Sequence, residues 1–70
     1  MHNRLRKRKN RRRAVEHIVR RLGDIQDFEL AYFLSIPDTP ANKERMEESS
    51  HIFGEIFDII ESLEQLKHSF

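Results

Sequence analysis

The sequence predicts an all-α fold: a small three-helix protein with a long C-terminal helix, assembled as a helical-bundle homodimer. The strong helix formers Glu, Leu, Arg and Lys dominate, and the 70 residues include only two Gly and two Pro. Apolar residues recur at three- and four-residue spacings and do not alternate as they would in strands. The chain has no Cys and therefore no disulfide to stabilise it. Because a single domain of this size buries little surface, it is only marginally stable alone, and oligomerisation is expected.

The first helix is predicted over about residues 14–22. Its apolar residues form one stripe: Val15, Ile18, Val19 and Leu22. Gly23 follows directly and can adopt the left-handed conformation that closes a helix. We therefore expect the first helix to end at Gly23.

The second helix is predicted over about residues 25–35. Asp24 is placed to cap its N-terminus, and Pro37 stops it because the residue before a proline avoids the helical conformation. Apolar side chains cover most of this helix, including Phe28 and Leu34. A helix of this kind is typically packed between others.

The third helix is predicted over about residues 40–68, with Thr39 as N-cap and Pro40 at the first helical position. With Phe53 at position a of a heptad, Met46 and Ile60 also fall at a. The d, e and g positions add seven further large apolar residues, so the stripe is wider than a two-stranded seam. That width is typical of a multi-helix bundle.

The predicted helix lengths do not match. Helices over 14–22 and 25–35 are too short to cover the C-terminal half of a helix over 40–68. The same helix from a second copy, related by two-fold symmetry, is the simplest cover. The predicted core and dimer residues are Phe53, Ile56, Phe57, Ile59, Ile60, Leu63 and Leu66.

The net charge of +1 hides a strong segregation. Residues 1–22 contain ten Lys or Arg and one acid, which gives +9, whereas residues 23–70 contain three Lys or Arg and eleven acids, which gives −8. Such asymmetry favours contact with nucleic acid or a membrane surface by one half, or pairing between the two halves.

Residues 1–13 are predicted to form a basic arm, flexible when free, ahead of a helical domain over 14–70. Eight of the ten residues in "RLRKRKNRRR" (4–13) are cationic, and Arg has the planar donor geometry suited to phosphate and guanine edges. Nucleic acid is therefore the predicted partner. The predicted contact residues are Arg4, Arg6, Lys7, Arg8, Lys9, Arg11, Arg12, Arg13, Arg20 and Arg21.

The segment "NRLRKRKNRRRAVEHIVRRL" (3–22) resembles the arginine-rich helices of phage antiterminator proteins and similar viral RNA-binding peptides. The resemblance is one of composition over about twenty residues, and it implies that RNA is a candidate ligand beside DNA. Val15, Ile18 and Val19 depart from it, since they form a core stripe that free peptides do not need.

The predicted function is that of a small regulatory protein that binds nucleic acid through its arginine-rich arm and dimerises through its C-terminal helix. The alternative is an adaptor or inhibitor whose apolar and acidic helical surface binds a partner protein. The basic arm could also rest against the protein's own acidic half.

Other classes have less support in the sequence. An enzyme is not expected, because the chain has no Cys, no Gly-rich phosphate loop and no evident nucleophile with a base, and no cofactor is predicted. Glu48 and His51 have the spacing of a di-iron pair but fall at positions c and f, which face water, so no metal is predicted. A soluble, cytoplasmic protein is expected, because the longest apolar run, 30–34, is too short to span a bilayer.

Overall fold

In a computed structural model, the protein is a hairpin of two long antiparallel α-helices that pack along their whole length. The structure describes residues 6–70, and these are helical apart from the connection and the ends, with no strand among them. Helix α1 spans Arg8–Ser35, a short 3-10 helix spans Pro40–Asn42, and helix α2 spans Lys43–Lys67. The hairpin measures 54 × 21 × 16 Å.

The predicted all-helical fold is confirmed, but the prediction of three helices is wrong. The expected helices over 14–22 and 25–35 are parts of one helix, which passes through Gly23 with no left-handed residue. Gly inside a helix costs about 1 kcal/mol relative to Ala. Continuous packing against α2 on both sides of Gly23 offsets that cost, and Asp24 is an exposed residue inside the helix instead of a cap.

The two helices meet along a seam of residues spaced three and four apart. On the α1 side the buried and half-buried residues after Ala14, apart from Gly23, follow this spacing from Val15 to Ile36, and on the α2 side, apart from Glu64, they follow it from Met46 to Phe70. The predicted heptad of α2 holds, since its a and d residues face α1. The α1 seam residues are Val15, Val19, Leu22, Gln26, Glu29, Phe33 and Ile36, and those of α2 are Met46, Ser49, Phe53, Ile56, Ile60, Leu63, Lys67 and Phe70.

Few residues of the seam are fully buried. Within residues 6–70, the buried apolar side chains are Val15, Ile36 and Ile56, each 8% exposed. Ser49 is the most deeply buried residue, and its Oγ donates a hydrogen bond of 2.7 Å to Oε1 of Glu29 across the seam. The core of one hairpin is therefore thin for a chain of this size.

The connection between the helices is held by polar contacts at its backbone. Helix α1 stops at Ser35, and the extended Ile36 leads into Pro37, as the proline predicts. Asn42 Nδ2 donates to the carbonyl oxygen of Pro37 at 3.0 Å and to Oγ1 of Thr39 at 3.1 Å. Pro40 occupies the first turn of the 3-10 helix that leads into α2. We call this end of the hairpin, residues 36–48, the turn end.

The two helices are nearly equal in length, so the predicted mismatch that called for a second copy is wrong. Because α1 has 28 residues and α2 has 25, one covers the other within a single chain. Phe53, Ile56, Ile60 and Leu63 pack in this seam. The remaining predicted dimer residues, Phe57, Ile59 and Leu66, are 56%, 46% and 45% exposed.

Candidate nucleic-acid interface

The basic segment lies at the end of the hairpin opposite the connection. We call this end, residues 6–13 together with 67–70, the open end. Residues 6–13 contain seven cations and no acid, and every cation among them except Arg11 is exposed. Arg4 lies outside the described residues. The cations of residues 6–13 are Arg6, Lys7, Arg8, Lys9, Arg11, Arg12 and Arg13, and Lys67 adds one cation from the other helix.

These cations lie at the start of a helix, where their charge opposes the helix dipole. Helix α1 begins at Arg8 after the extended Lys7, with no side-chain cap and no acidic residue in its first turn. The positive end of the dipole favours anions, and cations spaced four apart, such as Lys9 and Arg13, repel each other. Local electrostatics therefore disfavour this helix start, and a bound polyanion would relieve the repulsion.

Two contacts with Phe70 fix the open end. Arg12 Nη2 donates a hydrogen bond of 2.6 Å to the carbonyl oxygen of Phe70, and the Arg11 guanidinium lies 5.4 Å from the centroid of the Phe70 ring. The Nε of Arg11 is buried without a hydrogen-bond partner. Arg11 and Arg12 thus hold the two helix ends together, which the sequence did not indicate.

The acidic residues of α2 do not neutralise these cations. Within residues 6–70, the two contacts between acidic and basic side chains both lie inside α2: Lys67 pairs with Glu64 at 2.9 Å, and His51 Nε2 lies 3.7 Å from Glu55. Neither includes a cation of residues 6–13. In the described part of the protein, residues 6–13 therefore contact residues 23–70 through Phe70 and form no ion pair with an acidic side chain there.

Arg20 and Arg21 lie two turns or more from the open end and point in different directions. Residues seven apart share one side of a helix, so Arg20 lies on the side of Arg13, about 10 Å further along. Arg21 is rotated from Arg20 by about 100°. Both side chains are exposed. Arg20 therefore lies in line with Arg13 of the open end, whereas Arg21 lies on a different side of α1.

The structure offers no metal centre within residues 6–70, where no group of three or more His, Asp or Glu side chains is placed to hold an ion. Glu48 and His51 are both exposed, as their heptad positions predict. Neither α1 nor α2 is apolar over a stretch long enough to cross a membrane.

Comparison with known proteins identifies no relative: no family model, curated protein or solved structure matches this chain. The likeness of residues 3–22 to arginine-rich viral peptides therefore remains one of composition. Function has to be inferred from the chemistry of the hairpin itself.

Proposed function

We propose that the protein is a small regulatory protein that binds the phosphate backbone of nucleic acid through its open end and acts as a homodimer. The observation that carries the binding proposal is the group of seven cations in residues 6–13, which has no acid within it and no ion pair to the rest of the described chain. Neutralising several phosphates with such a group releases counterions and gives salt-sensitive binding with little base preference.

The geometry of α1 supports this proposal in a second way. The hairpin presents Arg8, Lys9, Arg12 and Arg13 on the first two turns of one helix, a position from which they can contact successive phosphates. Exposed arginines also offer two parallel donors to a phosphate or a guanine edge. No aromatic residue precedes Phe28, so stacking on single-stranded bases contributes little.

The experiment is a titration of duplex DNA and of structured RNA at several salt concentrations. The test variant replaces Arg8 and Arg13 with Gln, which removes two exposed cations and leaves the Phe70 contacts intact. The matched control replaces Lys43 and Arg45 with Gln at the turn end, with the same change in net charge. Substitution is preferable to deletion of residues 1–13, because deletion would also remove the first turns of α1.

Each lost phosphate contact lowers the slope of log affinity against log salt by about 0.7 to 0.9. We therefore expect the Arg8→Gln/Arg13→Gln variant to lose between one and two units of slope and to bind more weakly at every salt concentration. The control should keep the wild-type slope. Equal losses in both variants, or no binding by the wild type in dilute buffer, would refute binding by the open end.

A second candidate function is an adaptor or inhibitor that binds a partner protein. It is favoured by large apolar side chains that one chain leaves exposed, among them Phe28 at 79% and Leu34 at 72%. A protein that runs as a single chain and does not bind nucleic acid at low salt would favour this alternative.

A further inference from the structure

The residues beside the seam differ between the two sides of the hairpin. The two helices of an antiparallel pair are related by an approximate two-fold axis normal to the plane that contains them, so equivalent heptad positions lie on the same side of that plane. The g positions of both helices therefore flank the seam on one side. From the open end to the turn end they are Arg11, Ile18, Ile25 and Tyr32 on α1, and Leu66, Ile59, Ile52 and Arg45 on α2.

Six of these eight residues are large and apolar, and we call them the apolar flank. Their exposed fractions are 47% for Ile18, 53% for Ile25, 46% for Tyr32, 39% for Ile52, 46% for Ile59 and 45% for Leu66. The cross-seam contacts of Glu29 with Ser49 and of Arg12 with Phe70 set the alignment of the helices. In that alignment Ile25 lies at a level between Ile52 and Ile59. The flank is thus an interleaved strip about 27 Å long, bounded by an Arg at each end.

The opposite side of the seam has a different composition. Its e positions are Lys9, Glu16, Gly23 and Leu30 on α1, and Lys43, Ser50, Phe57 and Glu64 on α2. Four of these are charged and two are large and apolar. We call this side the mixed flank. Its charges and small residues are suited to solvent, whereas the apolar flank is a continuous strip of the kind that marks an interaction site.

We propose that the apolar flank of one chain packs on the apolar flank of a second copy, in a closed four-helix bundle. The two hairpins are antiparallel, an arrangement that we call head-to-tail: the open end of each lies beside the turn end of the other. This inference rests on the homodimer of the proposed function and extends it, because both helices contribute to the interface. A second copy fits because it presents an identical apolar strip of the same length. That strip has charges only at its two ends. The thin core of one hairpin, with three buried apolar side chains in residues 6–70, is completed in this way.

The charge distribution selects the direction of the second copy. Two hairpins that meet face to face can place their open ends together or at opposite ends of the bundle. Placing them together would bring two groups of seven cations side by side. The head-to-tail arrangement sets each open end beside the turn end of the partner, where four acids outnumber two cations. The acids are Asp38, Glu44, Glu47 and Glu48, and the cations are Lys43 and Arg45.

This arrangement separates the two cation groups by about 40 Å along the bundle, at 1.5 Å per helical residue. One turn of duplex DNA is about 34 to 36 Å, so both groups could contact the same duplex about one turn apart. Two separate open ends on one bundle would also allow the dimer to bridge two nucleic-acid segments.

The interface is tested by matched variants of α2. We expect Ile59→Lys, on the apolar flank, to convert the dimer to single chains in sedimentation equilibrium. Phe57→Lys removes a large apolar residue that is at least as exposed, 56% against 46%, from the mixed flank and should leave a dimer. Helix content by circular dichroism is recorded for each. A dimeric Ile59→Lys variant would overturn the interface.

The direction is tested in the otherwise native chain, so the result does not depend on whether an interface variant folds. The sequence has no Cys, and spin labels can therefore be attached at Ser69→Cys near the open end and at Ala41→Cys near the turn end. Head-to-tail packing predicts like-labelled dimers with distances of about 35 Å or more, and mixed dimers with a Ser69–Ala41 distance below about 20 Å. The reverse pattern would overturn the direction.

The outcome is separable from that of the binding proposal. A single chain that binds nucleic acid with a steep salt dependence removes the dimer and leaves binding by the open end in place. A head-to-tail dimer that ignores nucleic acid at low salt removes the binding proposal and leaves the bundle.

Discussion

The open end and the turn end of the hairpin are stabilised by different kinds of contact. At the open end, seven cations crowd the start of α1, and contacts of Arg11 and Arg12 with Phe70 hold the helix ends together. At the turn end, Ile36 is buried, and Asn42 donates two hydrogen bonds into the connection. Five of the seven cations take no part in the Phe70 contacts, so most of them can change without disturbing the contacts that fix the hairpin.

The largest expected effect is the loss of stability when a buried side chain at either end is truncated. Ile36→Ala removes three side-chain carbons at the turn end and should lower the free energy of unfolding by about 2 to 4 kcal/mol. Val15→Ala removes one methylene fewer near the open end and should cost about 0.8 kcal/mol less. Urea unfolding followed by circular dichroism measures both. As a control, Leu34→Ala, at a site 72% exposed, should change stability by less than about 0.5 kcal/mol. A larger loss of unfolding free energy in Val15→Ala than in Ile36→Ala would contradict this prediction.

A smaller effect is expected from the polar contacts of the connection. Asn42→Ala removes the donor that bonds to Pro37 and Thr39 and should cost about 1 to 2 kcal/mol. Asn42→Asp keeps the shape and can accept a hydrogen bond from the Thr39 hydroxyl, but it replaces the donor to Pro37 with an acceptor, which repels that carbonyl oxygen. It should therefore remain less stable than the wild type in the same unfolding experiment. Recovery of wild-type stability by Asp would show that these hydrogen bonds do not hold the connection.

The smallest effect concerns repulsion among the cations. Like-charged residues spaced four apart destabilise a helix by a few tenths of a kcal/mol per pair, and added salt screens exposed charges. Raising the NaCl concentration from 0.05 to 0.5 M should therefore increase the hydrogen-exchange protection of amides at residues 12–16 by about two- to threefold. Amides at residues 46–50 serve as the internal comparison and should change less. Equal changes at both ends would show that repulsion does not weaken the open end.

Much of the helical structure follows from the sequence alone. The break at Pro37, the restart at Pro40 and the a and d positions of α2 are predicted by local rules and by periodicity. The continuity of α1 through Gly23 is not predictable in that way. A Gly after Leu22 and an Asp at position 24 satisfy the local signals for a helix end and a new start. Packing along α2, which no local signal reports, decides against them.

The polar residues of the seam explain why α1 is harder than α2 to predict from the sequence. Gln26 and Glu29 occupy a and d positions, where a sequence-based assignment expects apolar residues, so the apolar stripe of α1 is interrupted after Leu22. The donor for Glu29 is Ser49, twenty residues away. The identity of the open-end cations is evident from composition, but the contacts of Arg11 and Arg12 with Phe70 depend on the hairpin and could not be predicted.

The hydrogen bond between Ser49 and Glu29 has a consequence for how the two helices find each other. In a seam made only of leucines, one helix could slide past its neighbour by a full heptad and bury almost the same area. Here such a slide in one direction would set the carboxylate of Glu29 against Ile56, buried without a donor, at a cost greater than that of an ordinary mismatch. This single polar pair therefore disfavours that slipped register, which the repeating apolar residues would otherwise tolerate.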